Sequence, residues 1–566
     1  MLDKIFQQNL RELFNSGKFE DVIKKVEDNY SRTDRPPGLS SLIGICRVLS
    51  PNSTKEDLIL ALSDFEDSYN KFGRSDGAIE AICNYITTIV KNSKKYTELL
   101  AYLTDAKNMY LNAEMSYGYN EKLFIHGADL FTLLLDHKKT LKILNNLIEN
   151  NSSSKIVACQ FGHLNNYLYD WKQIDYFNFS KKFKSFFTKL NTRKLNEIDY
   201  SQNKKIKIAF VSCDFTKDHS VTHFAKNTIK YLDDKIFEKY GVSFSSDRFL
   251  KDTSLELKKY CNKWLNLSKL NNQEVIDLIQ NEKIEILIDI MGLTQANRIE
   301  IFNSRVSPLQ ISWMAFCNTV GFDTIDYLIS DKNLIYQSEE KLYSESIIKM
   351  PNIWNCHSGL NFDRKFNKLP FLKNNYLTFG SFNNFLKIND NVIRVWGEIL
   401  KRVKNSKLIL KSSFNYNSSI IIDKFKKLGV NNSIEFFDQN NFPNIQDHIE
   451  LYDKLDLALD TFPYNGVTTT FESLWAGVPV ICMKGHNFNS RCGESIMING
   501  KLEQFLAANE EDYIKKVIYY ANNIEELSKE RENIFHNILE TPLFKSKEYA
   551  SNLKSEILKI YNRKLN

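Results

Sequence analysis

"DTFPYNGVTTTFESLWAGVPVICMKG" runs from Asp460 to Gly485. The apolar run "LALDTF" (457–462) leads into it, and the turn Pro463-Tyr464-Asn465-Gly466 follows. Three consecutive threonines, Thr468, Thr469 and Thr470, then open an amphipathic segment that ends in a second apolar run, "PVICMKG" (479–485). Strand, turn, helix and strand in so short a span is the repeating unit of a parallel α/β sheet. Hydroxyl side chains are favoured at a helix start, and the unpaired N–H groups and helix dipole there attract anions. Glu472 lies one turn further in, near enough to accept hydrogen bonds from sugar hydroxyls. Capping alone accounts for one threonine. It accounts less well for an Asn-Gly turn, three threonines and an acid together, so the stretch points to phosphate binding.

Working outward, the same texture extends from about residue 205 to the C-terminus. The apolar runs "IKIAFVS" (206–212), "EILIDIMG" (285–292), "YLTFGSF" (376–382), "SKLILKSS" (406–413) and "IEFFD" (434–438) alternate with helical segments such as "NDNVIRVWGEILKRVK". Continuous apolar strands separated by helices predict parallel sheets covered on both faces. A polar break at "NFDRKFNKLPFLKNN" (361–375) divides this region into two nucleotide-fold halves, residues 199–370 and 371–566. Open parallel sheets bind ligands beyond the C-terminal ends of their strands, so the predicted site is the cleft between the halves.

Before "DYSQNKK" (199–205) the pattern is different. "LRELFNSGKFEDVIKKVEDNY", "KEDLILALSDFEDSYNKFG" and "YTELLAYLTDAKNMYLNAE" place apolar residues three and four apart. Helix, short turn, helix at roughly 30 to 40 residue spacing predicts tetratricopeptide-like hairpins over residues 1–198, against a plain helical domain.

A chain of 566 residues exceeds one core, and about three domains are expected. With 75 Lys and Arg against 69 Asp and Glu, the net charge of +6 is too balanced for a nucleic-acid footprint. The nine cysteines form no CxxC pair, which argues against a disulfide framework or a zinc site and for a reducing, cytoplasmic setting. The amphipathic N-terminus "MLDKIFQQNLRELF" carries acids and does not read as a signal peptide, and no apolar run reaches membrane-spanning length.

Three further stretches lie at strand ends. In "GSFNNFLKIND" (380–390), Asn383 and Asn384 follow a strand and Lys387 precedes a helix; a lysine there could neutralise a diphosphate, or stand solvated on the surface. In "VSCDFTKDHSVTHFAKN" (211–227), Asp214, His219 and His223 occupy a strand-to-helix loop. A histidine there is placed for general-base or orienting work, or is a satisfied structural group. The His219–His223 spacing lacks a third metal ligand, so no metal is expected. In "MGLTQANRIEIFNSRVSPLQISWMAFCNTVG" (291–321), the loop carrying Thr319 reaches the cleft.

These four stretches, in this order, resemble the catalytic region of glycosyltransferase family 41, the O-GlcNAc transferase and SPINDLY group. "NGVTTTFESLWAGVPV", "SFNNFLKI" and "SRVSPLQISWMAF…TVGFDTIDYLISD" are specific in combination, and the similarity spans about residues 205 to 540. The resemblance implies a GT-B fold, with two Rossmann-like lobes behind a helical-repeat domain and the last helix packing back on the first lobe. It implies a nucleoside-diphosphate-sugar substrate and no metal or other cofactor. By position, Lys387 and Asn384 would bind the diphosphate, Thr468 and Thr469 the phosphates at the helix start, Glu472 the ribose and His448 the nucleoside. His219 matches a position considered for the catalytic base, and Arg491 in "NSRCGESIM" matches a usual Ser-Arg. Asp214, His223, Thr319 and Arg491 fall on the acceptor or donor-sugar side.

The chain departs from the family in two places. Val467 stands where a histidine usually precedes the threonines, and Ala315-Phe316-Cys317-Asn318-Thr319 replaces a loop usually containing Pro and Gly. The expected reaction is inverting, metal-independent transfer of a sugar, UDP-GlcNAc first among donors, to Ser or Thr of a protein. A concave repeat surface suits a polypeptide acceptor. The alternatives are glucose transfer to Asn, fucose transfer from GDP-fucose, and a repeat scaffold with an inactive transferase domain. The sequence does not fix the oligomeric state.

Overall fold

The structure is a computed structural model. It describes residues 4–565 except 74, 94, 169, 170, 202, 216–218, 246–252, 295, 413, 414, 431–433, 439–441 and 443. By contacts the chain divides into two compact units, Met1–Gln160 with Ser413–Ile421, and Phe161–Ser412 with Ile422–Asn566.

The first unit is a succession of antiparallel helices. Lys4–Asn15, Phe19–Glu27, Pro37–Leu49, Lys55–Phe72, Asp76–Asn92, Leu103–Tyr117, Glu121–Leu133 and His137–Glu149 follow one another with short turns. Each buries one apolar stripe on its sequence neighbour, as with Leu10, Val22, Val26, Leu39, Ile43 and Cys46. Starts are marked chemically. Thr54 and Asp57 form a reciprocal capping box, and the Asn120 side chain accepts the Leu123 N–H at 3.0 Å. Close packing is set by small residues: a Cβ on Gly44 would come within 2.6 Å of the Phe65 ring. Asp64, almost fully buried, is held by Arg35 at 3.2 Å and Arg47 at 3.0 Å. Taking away either arginine would leave buried charge less well matched.

The second unit contains two parallel sheets. The first comprises β1 (Ile206–Ser212), β2 (Phe237–Ser243), β3 (Lys263–Asn266), β4 (Ile286–Asp289), β5 (Leu309–Ser312), β6 (Tyr327–Asp331) and β7 (Ser346–Met350), in the order β3-β2-β1-β4-β5-β6-β7. The second comprises β8 (Leu377–Ser381), β9 (Ser406–Ser412), β10 (Ile434–Asp438), β11 (Leu457–Leu459), β12 (Val480–Met483) and β13 (Leu506–Ala507), in the order β10-β9-β8-β11-β12-β13. Every recorded strand pair is parallel. The central strands β4, β5, β8 and β11 are buried at every residue, polar Asp289, Gln310, Ser312 and Thr378 included, as in a parallel sheet covered on both faces. In each sheet the order reverses direction at a central strand, so loops splay apart there and open a crevice at the strand tips.

Two features fix the lobes to each other. The last helix, Ser546–Leu565, packs on the first lobe, where Tyr549 and Trp313 pair hydroxyl to indole N–H at 3.0 Å. Beside the cleft, Ser495 donates to the buried Asp331 carboxylate at 2.5 Å, and Arg491 forks onto Glu339. The result is the GT-B arrangement, two Rossmann-like lobes with their strand tips facing one cleft.

Candidate active site

The chemistry starts where β11 ends. Asp460 follows the strand, and its buried Oδ1 accepts the N–H of Thr461 at 2.9 Å, the N–H of Gly466 at 2.6 Å and the amide of Asn383 at 3.2 Å. Burial pushes the Asp460 carboxyl up to about 6, while these donors and the Lys387 cation pull the other way. The bonds curl residues 461–466 into a tight loop and aim the next helix, Thr468–Trp475, at the cleft. Only glycine fits at 466. A Cβ there would lie 2.5 Å from Thr469 Oγ1, 2.8 Å from Thr470 Oγ1 and 2.9 Å from Asp460 Oδ1.

The three threonines divide the work. Thr470 is buried and donates back to the Gly466 carbonyl at 3.1 Å. Thr469 donates to Asn383 Oδ1 at 3.0 Å, and Thr468 and Thr469 both line the cleft. The N–H groups of Thr470 and Phe471 reach the Val467 carbonyl, but those of Thr468 and Thr469, in the first turn, have no intrahelical acceptor. Two free amides and the positive end of the helix dipole therefore face the cavity.

Lys387 comes from the other side of β8. It closes the short turn Phe385–Lys387, whose start is capped by Asn384 Oδ1 accepting the Leu386 N–H at 3.0 Å. Its ammonium donates to the Asn465 carbonyl at 2.8 Å and sits 4.0 Å from the centre of the Tyr464 ring. Tyr464 is itself stacked on Tyr167, centroids 5.4 Å apart. Burial lowers the lysine to about 8, opposed by Asp460, Cys492 and Cys317. The group is thus a cation at neutral pH, with the Asp460 carboxylate favouring that charge.

Both lobes line the resulting cleft, of about 330 Å³. The second lobe supplies Asn383, Asn384, Lys387, Tyr464, Val467, Thr468 and Thr469; the first supplies Asp214, His219, Ser220, Val221, Phe224, Thr294, Met314, Ala315, Cys317 and Asn355. His219 caps the helix Ser220–Tyr231. Its Nδ1 accepts the Val221 N–H at 3.4 Å, and its Nε2 lies 3.8 Å from Asp214 Oδ1. This arrangement favours the tautomer with the proton on Nε2. Residues 216–218 of the same loop lie outside the described residues.

The remaining residues singled out from sequence are not among those lining the cavity. Glu472 is buried one turn along the helix, between His448 Nε2 at 3.1 Å and the Tyr452 hydroxyl at 3.2 Å. Burial alone would raise this carboxyl, but His448 brings it below its ordinary value. His448 Nδ1 in turn meets Lys411 Nζ at 2.7 Å, and burial lowers Lys411 to about 8. Lys411, His448, Glu472 and Tyr452 so form one polar chain behind the helix start. His223 is buried against the His357 ring, centroids 5.6 Å apart. Thr319 donates to Glu345 at 2.6 Å in the first lobe's interior. Arg491 stacks 3.9 Å over Tyr336 and holds Glu339, the Leu334 carbonyl and the Gly485 carbonyl, so it clasps the lobes.

Sequence reading passed over Tyr464, Asn383 as distinct from Asn384, and Asn355. For Tyr464 and Asn383 the signal was present, a residue beside an already suspected turn. Asn355 had none, since it stands alone between Trp354 and Cys356. Among the described residues no group of three or more His, Cys, Asp or Glu side chains is placed to hold a metal ion.

Fold and site together define a GT-B glycosyltransferase. The sequence pattern of Glycosyl transferase family 41 matches residues 187–360 and 363–553, and the chain belongs to that family. Similar proteins include the Petunia hybrida SPINDLY, described as a probable UDP-N-acetylglucosamine–peptide N-acetylglucosaminyltransferase. It is 29% identical over 365 residues, which cover 64% of this chain and 39% of the relative. The Arabidopsis thaliana SEC protein, described by the same activity, is 27% identical over 371 residues, covering 63% and 37%. This chain thus spans about two fifths of the length of these relatives. The solved structure of a Thermobaculum terrenum O-GlcNAc transferase mutant, K341M, superimposes with a TM-score of 0.79 at 18% identity, covering 94% of this chain and 99% of that one. At that identity the likeness concerns the fold.

Proposed function

We propose that the chain transfers a sugar, N-acetylglucosamine from UDP-GlcNAc first, to serine or threonine of a protein, with inversion and without a metal. The observation that carries this is the meeting, on one cavity, of the Lys387 ammonium with the unpaired amides of Thr468 and Thr469. Departure of a nucleoside diphosphate is limited by the charge it develops, and a lysine plus a helix start supply fixed positive charge at that place. The remaining task is to hold an acceptor hydroxyl in line behind the anomeric carbon. His219, on the facing wall with Asp214 behind it, is placed to take the acceptor's proton onto Nδ1 once the Val221 bond yields. No helix among the described residues is long and apolar enough to cross a membrane, and a cytoplasmic setting belongs to the same proposal.

The test is ligand-dependent unfolding followed by transfer assays. UDP at about a hundred times its Kd stabilises the folded chain by about 2.7 kcal/mol and raises its unfolding midpoint. Protection by GDP in place of UDP would reassign the donor, and protection by neither would remove the function. EDTA leaves transfer unchanged; a loss restored by Mn²⁺ would refute the metal-free route.

A further inference from the structure

Asn465 is 0% exposed, and both ends of its side-chain amide are hydrogen-bonded within the second lobe. Its Nδ2 donates to the Thr461 carbonyl at 3.1 Å, earlier in the same loop. Its Oδ1 accepts the Gly493 N–H at 3.0 Å. Gly493 stands in the first turn of the helix Cys492–Asn499, where amides need partners from outside the helix. The packing is close, since a Cβ on Gly493 would come 3.2 Å from Asn465 Cγ. A buried amide bonded at both ends keeps one orientation, and the backbone it belongs to is fixed with it.

That backbone carries the lysine. The Asn465 carbonyl accepts the Lys387 ammonium at 2.8 Å. An ammonium has three N–H groups, so this bond takes one and leaves two for acceptors in the cleft. The helix that meets Asn465 Oδ1 is anchored in turn. On either side of Gly493, Arg491 forks onto Glu339 and Ser495 donates to Asp331, both carboxylates of the first lobe. A line of bonds therefore runs from the first lobe, through this helix and Asn465, to the Lys387 cation.

We infer that Asn465 is a positioning residue of this site: its side chain fixes the carbonyl that holds Lys387, and so places the cation against the donor's diphosphate. This rests on the donor-binding function proposed above. Asn465 is not among the residues lining the cavity, so its effect reaches the substrate through the loop it fixes. A cation held in place beforehand acts most where negative charge develops, on the departing diphosphate.

The experiment is a double-mutant cycle on the full chain, with Asn465→Ala, Lys387→Ala and the pair, read as kcat and as affinity for UDP. A thermal melt checks folding at the assay temperature. Asn465→Ala should lower kcat by roughly 10- to 100-fold, the upper figure being the cost of misplacing a reacting group by about 1 Å. Its affinity for UDP should fall less, by about 3-fold, because the ground state asks less of the cation than the transition state does. In the Lys387→Ala background the same substitution should cost no more than about 2-fold further, since no cation is left to position. Gly493→Ala serves where Asn465→Ala does not fold. Its methyl crowds Asn465 without removing a hydrogen bond, and it should give the same pattern on a smaller scale. Wild-type kcat in either variant, or losses that multiply with that of Lys387→Ala, would overturn the inference and leave the donor site standing. A wild-type chain that binds neither UDP nor GDP would overturn the parent function, and this with it.

Discussion

The two walls of the cleft are built differently. On the second lobe, the polar groups come from two stretches, 383–387 and 464–469, each a strand tip running into a helix or turn. On the first lobe they come from four separated places: 214–224, 294, 314–317 and 355. The second-lobe wall is bonded to itself, within the 460–470 loop and across to Asn383 and Lys387. Asp460, Gly466 and the threonines fix one another through bonds spanning a few residues, and Lys387 rests on the Asn465 carbonyl of the same loop. The first-lobe wall is assembled by tertiary packing, and the recorded bonds among its members, such as His219 with Val221 and Cys317 with Met314, stay within one segment. On the proposed function, charge handling would fall to the second-lobe wall, and recognition of sugar and acceptor to the composite one. Binding a diphosphate needs the same few donors whatever the substrate, whereas recognition can change one segment at a time.

The strongest way to break that contrast is Lys387→Ala. Transfer should fall by about 10³-fold, the scale of losing a preorganised group that stabilises developing negative charge. The fold should persist, because the lysine's single hydrogen bond is to a loop carbonyl at the cavity edge. Steady-state kinetics beside a thermal melt would check both. Turnover at the wild-type rate would show that the charge-bearing wall lies elsewhere.

His219→Ala sharpens the other side. A positioned base contributes about 10²-fold at the lower end of its range, and that is the expected drop in kcat. Donor affinity should hardly move, since His219 stands on the wall opposite the phosphate groups. A fall in donor affinity with kcat intact would place nucleotide binding on the composite wall and undo the division of labour. Thr319→Val is the control. Its hydroxyl serves Glu345 inside the lobe, so a change there should cost stability by about 1–3 kcal/mol and leave the kinetics of the folded protein alone.

The same contrast explains what the sequence disclosed. Residues 460–485 could be read because the strand, the turn and the helix start are adjacent, and each has a local chemical signature. The alternation of apolar runs and amphipathic helices likewise disclosed two parallel sheets. What remained hidden was orientation. Thr468, Thr469 and Thr470 are identical in type, yet the last turns back onto Gly466 while the first two face the cleft. Glu472 and His448 are close to the phosphate-side wall in sequence or space, but they pair with each other behind it. Arg491 sits in a motif that suggests ligand contact, and its guanidinium is spent on Glu339 of the other lobe. Such choices depend on which neighbour a fold brings near, and no periodicity records that. Asn355 shows the limit most plainly, because only its place in the cleft wall singles it out.

The smallest expected effect concerns Tyr464, and it tests whether the contiguous wall tunes its own charge. Lys387 is lowered to about 8 by burial, so the free enzyme holds the cation below that pH and loses it above. The kcat/KM for the donor should therefore fall as pH rises through about 8, and Lys387→Arg, charged throughout, should remove that alkaline limb. Asp460 from the β11 loop favours the charged form, and so does the Tyr464 ring face 4.0 Å away. A ring so placed stabilises a cation by about 0.5–2 kcal/mol, which corresponds to roughly half to one and a half pH units. Tyr464→Leu should move the limb to lower pH by that amount, and Tyr464→Phe, which keeps the ring, should restore it. If Leu lowers activity equally at every pH, Tyr464 is only a packing residue stacked on Tyr167, and the lysine's charge is set by burial and Asp460 without it.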